Sequence, residues 1–279
     1  MKLCFNEATV MGLGTLRTDI VSCAKAGFTH MEVRKEKLLS FLREGYTVED
    51  LKELLLEHHI QPVCINALSG ISFTQKQDRQ NMKEVCEFLC YCGSRIGCRD
   101  LEVIASFDVP TEDVDEINQN TAASLKSLSK IARNYGMRLA LEYMGVPRNS
   151  VKTFRQGLDI VRMVNEDNVG LLPDTWHHYA GGSKPKDILL ARPEEIFVVH
   201  ISDCPEHAPF TAIRSECCYP GDGAAPVAED LRNLKKIGYD GAASIEIFGP
   251  EIQAMDPEKG IPAAYRKAKE VMEKAGVLS

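Results

Sequence analysis

The chain of 279 residues carries 33 Lys and Arg against 40 Asp and Glu, a formal net charge of −7, and is 44% hydrophobic. That acidic balance argues against duplex DNA as a partner, because such binding rests on Lys and Arg neutralising phosphates. The longest apolar runs are strand-length, too short to span a membrane. The opening Met1-Lys2-Leu3-Cys4-Phe5-Asn6-Glu7 lacks the apolar stretch of a signal peptide, and the ten cysteines form no CxxC pair. Buried free thiols in a cytoplasmic protein are therefore expected.

In chain order, short β-rich runs alternate with helical patterns. The first run is Lys2–Asn6 and the second Thr29–Arg34. Between the second and third, Thr47-x-x-Asp50 reads as a capping box ahead of Leu51, Leu54 and Leu55, which share one helix face. The runs Pro62–Asn66, Leu101–Ala105 and Arg138–Glu142 follow, with Leu125, Leu128, Ile131 and Ala132 as a core-facing stripe before the last of them. Val169–Asp174, Phe197–Ile201 and Ala243–Phe248 complete eight runs, the last preceded by the stripe Leu231, Leu234 and Ile237. Ala26-Gly27-Phe28, Tyr135-Gly136-Met137, Ile237-Gly238-Tyr239 and the weaker Ile96-Gly97-Cys98 mark the returns from helix to strand. Eight alternating units imply parallel pairing with right-handed crossovers, closing into a (β/α)8 TIM barrel of one domain over residues 1–279. No GxGxxG or GKS/T loop follows the first strand, which argues against an open doubly wound sheet.

In such barrels the chemistry sits at the carboxyl ends of the strands. Strands five to eight end with Glu142, Asp174, His200 and Glu246, spaced by 32, 26 and 46 residues, each enough for a βα unit. Side-chain parity supports an inward set: Glu142 brings Ala140 with it, Glu246 brings Ser244 and Ala242, and Asp174 brings Leu172 and Gly170, leaving room below for a ligand. Burying three carboxylates together calls for a cation. Three oxygen donors and an imidazole suit Mn2+, Mg2+, Co2+ or Zn2+.

Lys2-Leu3-Cys4-Phe5-Asn6-Glu7-Ala8-Thr9, His58-His59-Ile60-x-Pro62, Leu139-Ala140-Leu141-Glu142, Asp167-Asn168-Val169-Gly170-Leu171, His200-Ile201-x-Asp203, Pro220-Gly221-x-Gly223 and Ser244-Ile245-Glu246-x-Phe248 run through the whole chain. They resemble the xylose isomerase-like TIM-barrel family, which also includes endonuclease IV, tagatose 3-epimerase and hydroxypyruvate isomerase, and within it the inosose (2-keto-myo-inositol) isomerase branch. The resemblance implies that Glu142, Asp174, His200 and Glu246 hold one divalent metal, that Glu142 and Glu246 double as the acid/base pair, and that His177 lies beside the substrate. Relatives often carry arginine just before the Pro-Gly-x-Gly turn; here Cys217 and Cys218 stand there, and Arg214 is the nearby candidate.

The expected activity is isomerisation or epimerisation of a small keto-polyol or ketose, an inosose favoured, by proton transfer through a metal-stabilised enediolate. A dehydratase acting on an inosose or dehydroshikimate is the alternative, and a barrel that binds a polyol without turnover a remote one. Nuclease chemistry is disfavoured because strand three ends in Asn66 and strand four in Ile104-Ala105, without extra histidines. No strand ends in lysine, which disfavours Schiff-base chemistry. Glu32, Arg34 and Asn66 are candidate hydroxyl contacts, Trp176 is a candidate cover for a sugar-like ring, and His178 reads as solvent-facing or as support for a ligand. Gly221-Asp222-Gly223 could cradle an anion but reads rather as a plain turn before the next helix. Assembly into a homo-oligomer is left open.

Overall fold

The structure, a computed structural model, describes residues 1–279. Eight strands form one sheet: β1 Lys2–Asn6, β2 His30–Arg34, β3 Gln61–Ser69, β4 Asp100–Ile104, β5 Arg138–Glu142, β6 Val169–Leu172, β7 Val198–Ile201 and β8 Ala242–Ile245. Their order is β6-β5-β4-β3-β2-β1-β8-β7, and every paired neighbour is parallel. The ring closes between β6 and β7, where Phe197 N donates to Leu171 O at 3.0 Å and His200 N to Pro173 O at 2.8 Å. The fold is the (β/α)8 barrel that the alternating pattern predicts.

The helices are α1 Leu16–Ala26, α2 Lys35–Arg43, α3 Val48–Glu57, α4 Lys76–Ile96, α5 Val114–Asn134, α6 Phe154–Val164, α7 Thr175–Ala180, α8 Val227–Lys236, α9 Pro250–Gln253 and α10 Pro257–Ala275. None is long and apolar enough to cross a membrane. The Thr47 capping box forms as the sequence predicts, with Thr47 and Asp50 exchanging side-chain-to-backbone bonds at the start of α3. Gly27 ends α1 at φ 101° and Gly238 follows α8 at φ 93°, left-handed conformations in which a Cβ would be strained.

Strand ends differ from the sequence reading by a few residues, and two differences matter for the site. β6 stops at Leu172 because Pro173 has no N–H to continue a ladder, so Asp174 lies two residues beyond it. β8 stops at Ile245, leaving Glu246 just past the strand, although Glu246 N still reaches Ile201 O at 3.3 Å.

A cluster of 70 buried residues fills the layer between sheet and helices. Inside the barrel a second, small cluster of Cys64, Ala140, Leu172, Phe197 and Val198 blocks the amino-terminal end. Gly170 makes room for this plug, since a Cβ there would lie 2.8 Å from the Phe197 ring. The Arg138 guanidinium stacks 4.0 Å from the same ring and grips Asp100 with two bonds of 2.7 and 2.8 Å. All ten cysteines are free.

Arg138 is the counter-charge of a carboxylate only 2% exposed. Arg138→Leu should therefore destabilise the barrel by about 3 kcal/mol, because it strands a buried charge, whereas Arg138→Leu combined with Asp100→Leu should recover most of that loss. Urea denaturation of the two variants checks this; equal midpoints would contradict it.

Candidate metal centre and active site

Four side chains converge at the carboxyl end of the barrel. Glu142 is the last residue of β5, His200 points inward from β7, and Asp174 and Glu246 stand just beyond β6 and β8. One ligand atom from each lies within 4.8 Å of the others. None of the four residues is more than 2% exposed.

The carboxylates of the cluster differ in how far the protein satisfies them: both oxygens of Glu246 are bonded, whereas Asp174 Oδ2 and Glu142 Oε1 have no hydrogen-bond partner. Asp174 caps α7: its Oδ1 accepts from Trp176 N at 2.6 Å, His177 N at 3.2 Å and Ser202 Oγ at 3.3 Å. Glu246 Oε1 accepts from the side-chain amides of Asn6 and Asn66, both at 3.1 Å. Its Oε2 lies 3.3 Å from His200 Nδ1 and accepts from Arg214 Nη2 at 3.0 Å. His200 Nδ1 is also 3.5 Å from Glu142 Oε1.

Burial and neighbouring charge act together on Asp174, Glu246 and His200. Burial pushes the Asp174 carboxyl up to about 7, with Glu142 and Glu246 adding to the effect against the pull of Arg214. Burial would raise Glu246 as well, but His200 and Arg214 hold it well below the usual carboxylate range. Burial would lower His200, yet Glu32 and Glu246 lift it well above the usual histidine range.

These residues fit a divalent cation. Glu142 Oε1, Asp174 Oδ2 and His200 Nδ1 are buried without a hydrogen-bond partner, which is costly unless something else binds them. Three carboxylates and one imidazole are the donor set expected of zinc, manganese or cobalt, and magnesium also accepts carboxylate oxygens.

Above the cluster is a cavity of about 390 Å³ whose wall includes Glu142, Glu246, Asn66, Arg34, His177 and Arg214. Arg34 Nη1 donates to Asn66 Oδ1 at 2.9 Å, so both of these candidates reach the site. Arg214, the candidate ahead of the Pro-Gly-x-Gly turn, enters it as well. Its guanidinium lies between the rings of Phe248 and Trp176, 4.0 and 5.2 Å from their centroids. His177 accepts from Gly145 N at its Nδ1 (3.1 Å) and has Arg214 Nη1 2.7 Å from its Nε2. Burial, reinforced by Arg214, keeps its pKa well below the ordinary histidine value.

Two of the sequence candidates lie off this wall. Trp176 is fully buried, edge-on to His177 with ring centroids 4.9 Å apart, so it is a packing residue and does not cover a ring-shaped substrate. Glu32 is also 0% exposed and lies beside His200 Nε2, beneath the cavity. His178 is 2% exposed and so does not face solvent. The amides of Gly221 and Gly223 donate to Asp203 Oδ2 at 2.9 and 3.1 Å; the turn's donors are already taken by the protein's own carboxylate.

The sequence reading missed Glu102 and Asn6. Glu102 lines the cavity from β4. The signal available for it was a lone acid between Leu101 and Val103, at a parity pointing into the barrel. Asn6 ends β1 and could have been flagged by the same strand-end rule that singles out Asn66.

His178, on α7, is fixed by two polar partners away from the cavity. Its Nδ1 lies 2.8 Å from Tyr143 Oη and its Nε2 3.0 Å from Lys184 O, so Nε2 donates to the carbonyl and Nδ1 accepts from the phenol. Burial lowers its pKa to about 4. A histidine depressed on folding stabilises the protein above its unfolded pKa of about 6.5, and that contribution disappears as pH falls through the folded value. Between pH 6.5 and 4 the wild type should lose about 3 kcal/mol that His178→Gln does not lose. Urea midpoints measured across that window check the prediction; parallel pH profiles would contradict it.

The model of the xylose isomerase-like TIM barrel family matches residues 20–275. The inosose isomerase of Bacillus velezensis is 35% identical over 280 residues, covering 98% of each chain. The crystal structure of the IOLI protein with a bound zinc atom superposes with a TM-score of 0.94 at 31% identity, over 99% of each chain. The 3-dehydroshikimate dehydratase of Pseudomonas aeruginosa is more distant, 26% identical over 88% of this chain and 38% of its own length. The chain belongs to the xylose isomerase-like TIM barrel family.

Proposed function

We propose that this protein is a divalent-metal-dependent isomerase of an inosose or a closely related small keto-polyol. The observation that carries the reading is the buried cluster of Glu142, Asp174, His200 and Glu246 beneath a cavity on whose wall both glutamates lie. Whole-length similarity to inosose isomerases and to a zinc-containing structure supports the substrate class and the metal.

In this reading the four side chains hold the cation. When bound, it supplies positive charge against the negative charge developing on the substrate's carbonyl oxygen. The rest is done by the chain's own groups. Glu142 and Glu246 approach from β5 and from beyond β8, with β6 and β7 between them around the ring. One, ionised, takes the proton from the carbon next to the carbonyl, and the other, carrying a proton of its own, delivers that proton to the neighbouring carbon or to the opposite face. Asn6 and Asn66 hold Glu246 from one side, and Arg34 in turn fixes Asn66.

Arg214 and His177 are the proposed substrate contacts. A neutral imidazole has one acceptor nitrogen, and the Gly145 amide already donates to Nδ1 of His177. Arg214 is the partner free to yield, which leaves its guanidinium available to a substrate oxygen. Residues 1–279 act as one catalytic domain in this reading. A cytoplasmic location belongs to the same proposal, supported by ten cysteines that form no disulfide.

Incubation with zinc or manganese and candidate inososes in D2O tests the reaction. Deuterium entering the carbon skeleton without loss of water is expected. Water loss would instead make the protein a dehydratase, the chemistry of the more distant relatives, and no exchange despite bound metal would leave a binding protein. Glu246→Gln and Glu142→Gln should each lower kcat by about 10²–10⁴-fold, with metal content measured alongside. Full activity in either variant would remove that residue from the mechanism.

A further inference from the structure

Beneath the four-residue cluster lies a second convergence. One carboxylate oxygen each from Glu32 on β2 and Glu102 on β4, and a nitrogen of His200, lie within 4.8 Å of one another. Glu32 is 0% exposed and Glu102 2%. Apart from its approach to His200, neither oxygen of Glu32 is near a hydrogen-bond donor that engages it, although a buried carboxylate is costly without a partner. Glu32 Oε1 stands 3.0 Å from His200 Nε2, on the side of the ring opposite the nitrogen that faces Glu142 and Glu246.

We infer that Glu32 is a positioning residue that fixes the proton of His200 on Nε2 and so presents the Nδ1 lone pair to the metal. This rests on the metal reading proposed above. The argument is one of donors and acceptors. A metal-binding histidine coordinates through one nitrogen, and its other nitrogen carries the proton and needs an acceptor. Three groups come close to the two ring nitrogens from the metal cluster and from β1: Glu142, Glu246 and Asn6. Both glutamates face Nδ1. The Asn6 amide nitrogen is 3.4 Å from Nε2, but it can only donate, so it offers no acceptor for a ring proton there, and its shorter bond of 3.1 Å runs to Glu246 Oε1. Glu32 is the acceptor beside Nε2.

The same residues could be read as a second cation site, but the chemistry disfavours it. Cations in both places would require His200 to offer a lone pair at each nitrogen and lose its last proton. With Glu32 as acceptor the ring stays neutral and a single cation is held. The position also explains why Glu32, a candidate substrate contact by its place on a strand, is withheld from the cavity. It acts on the site through His200 from across the barrel.

The test measures zinc binding, by chelator competition, and zinc stoichiometry in the full-length wild type, Glu32→Gln, Glu32→Leu and Asp174→Asn. Nitrogen-resolved NMR of the histidine rings in the zinc-loaded proteins accompanies it. The expected result is one zinc per wild-type chain and a protected His200 Nε2–H. Glu32→Leu should weaken zinc about 10–100-fold and lose that proton's protection, and Glu32→Gln, which keeps a carbonyl acceptor, should fall between. Zinc affinity and ring protonation unchanged in both Glu32 variants, with Asp174→Asn impaired, would overturn the role of Glu32 alone. Two zincs per wild-type chain, the second lost in Glu32→Leu, would overturn it by making Glu32 a ligand. A wild type that binds no zinc would remove the metal reading and this inference together. Glu32→Gln keeps the test decisive if Glu32→Leu does not fold.

Discussion

Five carboxylates, those of Glu32, Glu102, Glu142, Asp174 and Glu246, are buried at the carboxyl end of the barrel around a single histidine. Water solvates none of them well, and like charges at this spacing oppose one another's ionisation. Everything else about the site follows from how the fold answers that crowding. Part of the answer is positive charge supplied by the chain: Arg214 reaches Glu246 and approaches Asp174. The remainder is the divalent cation for which the unpartnered atoms are arranged.

Such a cluster could not persist on flexible segments. Closure of the ring between β6 and β7 brings Asp174 and His200 side by side, and the Phe197 plug shuts the far end so that chemistry is confined to one mouth. The order is carried outward by polar contacts. Asp174 is held by the first turn of α7, and Glu246 by two asparagines from β1 and β3. His177 is held by the Gly145 amide, at a place where a Cβ on residue 145 would lie 2.2 Å from the His177 carbonyl. A rigid floor with pre-aimed oxygens spares the protein the cost of arranging charges during the reaction.

By contrast, the wall of the cavity is built from long side chains. Arg34 and Arg214 reach in from the ends of β2 and from the segment after β7, and each is tied to a group that contacts Glu246 or is Glu246 itself. Substrate oxygens that engage these guanidiniums would therefore be felt at the proposed base. This links recognition at the mouth to geometry at the floor.

The eight units, the barrel and the four residues of the cluster were legible in the sequence because each depends on local periodicity. Strands alternate faces every two residues, helices end at glycines that can turn left-handed, and a parallel barrel puts its strand ends on one rim. That register puts Glu142 and His200 on the inward face and Asp174 and Glu246 just past their strands, and the family resemblance named all four as a metal-binding set. What the register does not contain is distance across the barrel. Trp176, next in chain to Thr175 in the same short helix as His177, turns into the core and not over the cavity. Arg214 enters the site from a position offset in sequence, because the path of the segment between β7 and α8 places it there. Glu32 and Glu102 share the inward parity of Arg34 and Ile104, but they lie one layer deeper, where only ring closure brings β2 and β4 within reach of β7. Those contacts join strands on different sides of the ring, so their existence is a property of the closed cylinder and not of any one strand.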